Sequence, residues 1–383
     1  MSRPSVLMVC YQYAPAADGG AERQAQRLAE ALASRGTTVG VVTRRVRGAP
    51  SRERMAGVDL HRIWAVSRKG WVSLTFLPSL ALFLLLHGRR YDIWHVHQAY
   101  YHYLVAVVVA RLLGRRCVVK AAASGPFGDI ARLRVSKFGG LVMRAMPSAD
   151  AVVSLNRELS AELEQAGVAR ARTRVIRNGV DLAAFKPATA AERATARRSL
   201  GLPADAVAVA FVGRVAEEKG VDVLLEAWRR VEHADLVGQG RLLLAGDGER
   251  APKFRELARS GLQRAVFLGR VADVRSLLGA VDIMVLPSRS EGLSNAVLEA
   301  MAMAVPILAT RIGGLEEQVE DGVTGVLVPP GDADALARAL QRLMGDAALQ
   351  RRMGERGRAA VEQSFAFAGT VDAYQQLYQE LIA

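Results

Sequence analysis

Two glutamates, Glu291 and Glu299, stand eight positions apart around a glycine turn, and two cations, Arg214 and Lys219, lie between Gly213 and Gly220. Two cations at one loop can neutralise a diphosphate through charge-assisted hydrogen bonds, roughly twice as strong as neutral ones. Carboxylates suit the other side of such a ligand, where it carries hydroxyl groups. Glycines let backbone N–H groups come close to a phosphate. A helix N-terminus adds roughly half a positive charge there. The residue types therefore describe a site that grips a pyrophosphate on one flank and a polyol on the other.

The elements that must position these residues are legible as alternating strands and helices. Asp282–Leu286 reads as a strand, and a polar turn holding Glu291, Gly292 and Leu293 follows. Asn295–Met303 reads as a helix with Ser294 as its N-cap, stopped by Val305-Pro306 before a buried strand, Ile307–Thr310. In such βαβ units ligands collect at the carboxyl ends of the strands. Val207–Val212 is the strand that delivers Gly213 to Gly220, and a helix opens at Val221. Arg241–Ala245 ends in Gly246-Asp247-Gly248, and Val266–Val271, with Gly269, is a further strand. The first half repeats the pattern: strand Ser5–Cys10, a loop ending in Gly19-Gly20, helix Glu22–Ser34, strand Thr38–Thr43. That loop does not spell G-x-G-x-x-G, which argues against a dinucleotide fingerprint. In Tyr91–His97 the period of a strand points His95 and His97 the same way. They are read as a polar lining, with a metal pair as the lesser alternative because no third ligand stands nearby. The reading is α/β: two doubly wound Rossmann-like domains facing a central cleft.

The stretch Pro287–Thr310 resembles the paired-glutamate motif of retaining glycosyltransferases of the GT-B fold, in particular family 4, the group 1 type. The resemblance covers almost the whole chain. Tyr91–His97 is similar to the family's D-x-x-H-x-H strand, and Val175–Asp181 to its I-x-N-G-V-D segment at the domain crossing. It implies domains at 1–183 and 184–367, with a final helix at 368–383 packing back on the first. It implies a nucleotide-diphosphate sugar, UDP- or GDP-linked, bound mainly by the second domain. Arg214, Lys219 and the turn at Gly292, Leu293 and Ser294 would hold the leaving diphosphate. Glu291 would hold sugar hydroxyls beside the cationic centre, and Glu299 the ribose. Gly246, Gly248, Gly269 and Val271 would lie along the nucleotide, and the Gly19-Gly20 loop would reach donor phosphate and acceptor. The catalytic set is thus Glu291, Arg214 and Lys219, with no metal and no cofactor beyond the co-substrate. Acceptor-side candidates are His95, His97, Lys120, Ser124 and Asn178. The segment KAAASGPFGD departs from the family, which carries a histidine there; the resemblance implies that Lys120, Ser124 and Gly125 would take that place.

Composition sharpens the partners. The 383 residues carry a net charge of +13, unevenly placed: residues 1–186 hold 28 Lys and Arg against 12 acids, and the remainder 23 against 26. A basic first half suits an anionic partner such as lipid headgroups, a phosphate-bearing acceptor or nucleic acid. No nucleic-acid motif accompanies the charge, which sets that class aside. Cys10 and Cys117 sit in apolar runs and read as buried thiols of a reducing, cytoplasmic compartment. No signal peptide is read at the start. Trp71–Leu86 is apolar but broken by Pro78 and short of the roughly 20 residues of a membrane span. It reads as a buried or amphipathic helix, with a monotopic membrane contact flanked by Arg68, Lys69, Arg89 and Arg90 as the alternative. The expected activity is transfer of a sugar to a glycan, lipid-linked or small acceptor. A nucleotide-sugar epimerase of the same architecture is the alternative, and it would act on donor alone.

Overall fold

A computed structural model describes residues 3–15, 19–66, 72–233 and 240–383. The chain divides into two compact units, Met1–Asn178 with Ala368–Ala383, and Gly179–Phe367. The first runs β1 (Val6–Val9), α1 (Gly20–Ser34), β2 (Val39–Arg44), β3 (Arg52–Met55), β4 (Val58–Ile63), α2 (Val72–His87) and β5 (Ile93–His97). It continues through α3 (Tyr101–Leu112), β6 (Arg116–Lys120), α4 (Asp129–Val135), α5 (Gly139–Ala145), β7 (Ala151–Ser154), α6 (Arg157–Gln165) and β8 (Thr173–Val175). The second runs α7 (Ala190–Ser199), β9 (Ala208–Val212), α8 (Val221–His233), β10 (Arg241–Ala245), α9 (Ala251–Gly261), β11 (Ala265–Gly269) and α10 (Val274–Ala280). Then come β12 (Ile283–Leu286), α11 (Asn295–Ala302), β13 (Ile307–Thr310), α12 (Gly313–Glu316), β14 (Gly325–Val328), α13 (Ala333–Met344) and α14 (Ala347–Ser364). The last helix, α15 (Phe367–Ile382), returns the chain to the first unit.

Each unit is built on one sheet. The first has the order β3-β4-β2-β1-β5-β6-β7-β8, parallel except for β3; the second is all parallel, β11-β10-β9-β12-β13-β14. Strands such as β1, β5 and β12 are buried along their whole length, as parallel strands covered on both faces must be. Strand order reverses between β1 and β5 in one sheet and between β9 and β12 in the other, and crevices of this kind take ligands.

The crossing between units falls at Asn178, five residues before the boundary read from sequence at 183. The reason is local: Val180 N donates to Phe365 O at 2.9 Å and Phe367 N to Val180 O at 3.0 Å. Those bonds tie the chain after Asn178 to the end of the second unit. The hairpin β3–β4 has no counterpart in the sequence reading. Its β3, Arg-Glu-Arg-Met, is an edge strand that alternates exposed and half-buried residues, three of the four charged. Its turn is Ala56-Gly57, both residues left-handed as a tight hairpin turn requires. Arg68, Lys69 and Trp71, named for the membrane alternative, lie outside the described residues.

Candidate active site

In the second unit the loops after β9 and β12 are laced together. Arg289 N donates to Glu218 O at 2.7 Å, and the Arg289 guanidinium spans Glu217 O at 2.7 Å and both oxygens of Asp222 at 2.9 and 2.6 Å. Gly220, left-handed, lies so close to Pro287 that a Cβ would collide with its carbonyl oxygen. Across this seam Lys219 Nζ reaches Glu291 Oε1 at 2.5 Å. The same carboxylate oxygen accepts from Ser288 Oγ at 2.8 Å. Glu291 is only 8% exposed, so the pair sits in partly desolvated surroundings where a lost partner is costly. Arg214 pairs with Glu218 and is more than half exposed. Both cations of the sequence reading thus stand at one seam, each engaged with its own carboxylate.

The turn itself is held from behind. A Cβ on Gly314 would strike the carbonyl oxygens of Gly292 and Glu291, so α12 presses its backbone directly against the turn. Ser294 caps α11 by accepting from Val297 N, and Gln318 brackets Ser294 by accepting from its N–H and donating to its carbonyl, at 2.8 and 2.9 Å. Leu293 is buried beneath. Glu299, on α11, is 8% exposed, which distinguishes it from an ordinary glutamate of a helix surface. Backbone bonds join the strand ends beside this seam. Gly213 N donates to Ala245 O at 3.0 Å, Val215 N to Asp247 O at 3.0 Å, and Gly246 N to Gly269 O at 2.7 Å. Gly213, Gly246, Gly248, Gly269 and Val271 therefore line successive turns at one end of the sheet. Ser288, Asp222, Arg289 and Gln318 were not singled out from sequence. Of these, Ser288 carried a readable signal, a hydroxyl three residues before Glu291 in the same turn.

In the first unit His95, His97, Lys120 and Asn178 come together at the ends of β5 and β6. Lys120 Nζ donates to Asn178 Oδ1 at 2.8 Å and stands 5.7 Å from the centre of the Tyr374 ring. Burial pushes the lysine down to about 8. The rings of His95 and His97 lie 4.2 Å apart, and His95 Nδ1 meets the Tyr378 hydroxyl at 2.7 Å. Burial, and then the charge of Lys120, holds His95 down to about 3; burial and its neighbours hold His97 well below the usual range. The Nε2 atoms of both rings have no hydrogen-bond partner among the described residues. His102, buried and lowered to about 4, bonds His97 O at 2.9 Å. Ser124 belongs to a separate set: it donates to Glu158 at 2.7 Å and is fully buried. Gly19 caps α1, and Gly20 begins it. Among the described residues no group of three or more His, Cys, Asp or Glu side chains could hold a metal ion.

The fold and this arrangement define an α/β protein of two Rossmann-like units with a laced anion-type seam in the second. Comparison with known proteins gives the same class. The family described as Glycosyltransferase Family 4 matches residues 18–184, and Glycosyl transferases group 1 matches residues 206–346. A D-inositol 3-phosphate glycosyltransferase of Geodermatophilus obscurus is 30% identical over 94% of this chain and 84% of its own length. A protein of the same description from Saccharomonospora viridis is 38% identical over 55% of this chain and 50% of its own. The chain spans about half the length of several curated relatives it matches. The Anabaena protein HepE, crystallised with UDP and glucose, superposes with a TM-score of 0.82 over 98% of this chain and 100% of its own, at 20% identity. The chain belongs to the group 1, family 4 glycosyltransferases, and its fold is GT-B.

Proposed function

We propose that the protein transfers a sugar from a nucleotide-diphosphate sugar to a glycan or lipid-linked acceptor, in cell-surface polysaccharide or glycolipid synthesis. The observation that carries this reading is the Lys219–Glu291 contact of 2.5 Å across two loops at a strand-order reversal. Breaking the sugar–phosphate bond places negative charge on the departing diphosphate and positive charge at the anomeric carbon. Lys219, Arg214 and the turn ahead of α11 would stabilise the first, a preorganised electrostatic effect. For that, each cation exchanges its carboxylate for phosphate oxygens. Glu291, released from Lys219, would then hold sugar hydroxyls near the cationic centre, and Glu299 the ribose.

Transfer would retain the anomeric configuration and need no metal. The co-substrate would be UDP- or GDP-linked; the UDP and UDP-glucose held by the HepE fold support a nucleotide sugar there. His95, His97, Lys120 and Asn178 would line the acceptor side. The enzyme would work in the cytoplasm, resting peripherally on an anionic membrane; no helix of the described residues is long and apolar enough to cross one.

A thermal-shift panel of nucleoside diphosphates and their sugars tests the donor. Stabilisation by one diphosphate that Lys219→Met abolishes is expected, and no response to any nucleotide would overturn the reading. A product of inverted configuration would remove retention, and loss of activity in chelator would remove metal independence. Conversion of donor alone would favour an epimerase.

A further inference from the structure

We propose that the outward faces of α2, α3 and the α4–α5 segment form one docking surface for an anionic lipid bilayer. This deepens, and rests on, the membrane side of the reading above, while standing apart from its chemistry.

These helices form one layer. α2 packs on α3, α3 on α5, and α4 on α5. Their inward residues, among them Phe76, Leu80, Tyr103, Val107, Leu133 and Val142, enter a single core. Their opposite faces consequently look out on the same side of the unit. On α2 the outward positions Leu82, Leu85 and Leu86 recur at helical spacing and lead into Arg89. On α3 they are Val108, Arg111 and Leu112, and on the α4–α5 segment Val135, Lys137, Phe138, Leu141 and Arg144. Leu86 is 66% exposed, Leu112 72% and Val135 87%. Large apolar side chains left this open on neighbouring helices mark an interaction face rather than ordinary surface.

Charge selects the partner. Residues 72–149 carry ten Lys and Arg and two acids. Of those acids, Asp129 is buried and Asp92 is engaged with Ser5 and Arg115. Among the described residues no acidic side chain forms an ion pair with Arg89, Arg111, Lys137 or Arg144. The surface therefore offers aliphatic groups and cations with almost no negative charge. Nucleic acid would use the cations but not the leucines. A bilayer of anionic lipid uses both, taking the leucines among its acyl chains and the cations at its headgroups. The contact is interfacial, since no helix of the described residues could span.

The test is flotation of the full chain with vesicles, without any sugar donor. One set is phosphatidylcholine alone, the other phosphatidylcholine mixed with phosphatidylglycerol. Binding to the mixed vesicles is expected, weakening at least about tenfold as salt rises from about 0.1 to about 0.5 M. The pair Leu82→Glu and Leu86→Glu should abolish it. Arg89→Gln and Arg111→Gln should each weaken it about fivefold. Leu257→Glu, on an exposed position of α9, should leave it unchanged. Circular dichroism melts report that each variant is folded, as expected for exposed positions. Equal binding to neutral vesicles, or wild-type binding by the Leu82/Leu86 variant, would overturn the proposal. So would a dimer that this variant dissolves, in the absence of vesicle binding. Transfer to a soluble acceptor is measured in parallel. Its failure beside intact vesicle binding strikes the transferase reading alone, and the reverse strikes the surface alone.

Discussion

Each unit tucks away a lysine at the carboxyl end of its sheet, and the two are compensated differently. Lys219 meets a carboxylate, Glu291, at 2.5 Å. Lys120 meets a neutral amide, Asn178, and the face of Tyr374. A lysine opposite a carboxylate already holds an anion that it can trade for another. A lysine opposite an amide holds its charge against burial, and its proton becomes conditional near neutrality. The second unit is thus arranged as a standing cation for an anionic leaving group. The first holds a polar, largely neutral cluster in which a small change of pH alters the charge.

The sharpest way to break this contrast is to remove the paired cation. Lys219→Met should lower kcat/KM by about a hundredfold or more. It should also cost about 3 kcal/mol of stability in urea titrations, because Glu291 is left partly buried without its partner. Adding Glu291→Gln should restore most of that stability and none of the transfer. Recovery of both would deny the pair any role in catalysis.

The lysine held by the amide should show itself through pH. Its folded value, about 8, lies below the ordinary 10.5, so between these values the unfolded chain binds more protons. Stability should therefore be lowest below pH 8 and rise toward pH 10.5, by up to about 3 kcal/mol. Lys120→Met should flatten that rise in melts taken across the window. The histidines beside it act on the acid side. With His95 held at about 3 and His102 at about 4, stability should fall as pH drops from 6.5 through those values. His95→Asn should blunt the fall, and an unchanged acid limb would show that the cluster is not what titrates.

The smallest effect concerns the bond that orients the carboxylate. Ser288→Ala removes one hydrogen bond from Glu291, worth about 1 kcal/mol. Donor KM should rise a few-fold while the melt barely moves.

The core of the fold was readable because its parallel strands are short apolar runs punctuated by glycine, and its helices carry their own caps. Ser294 before α11 is such a signal, and its side chain accepts from the first turn it caps. The edge hairpin was not readable, since three of the four residues of β3 are charged and its pairing depends on β4 alone. In the candidate site, Glu291, Lys219 and the glycines announce themselves by type and local spacing. Gln318, Asp222 and Arg289 do not, because each acts on a segment distant in the chain.

The sequence by itself determined most of the central strands and helices, and which turns hold charge beside glycine, because capping, periodicity and backbone freedom are local properties. The tertiary structure alone decided that Lys219 would spend its charge on a carboxylate 72 residues away, and that His95 would meet a hydroxyl 283 residues on. Those contacts follow from strand order, β9 beside β12 and α15 brought back to the first unit. Such order is fixed by how whole faces bury against one another, a property no window of residues carries.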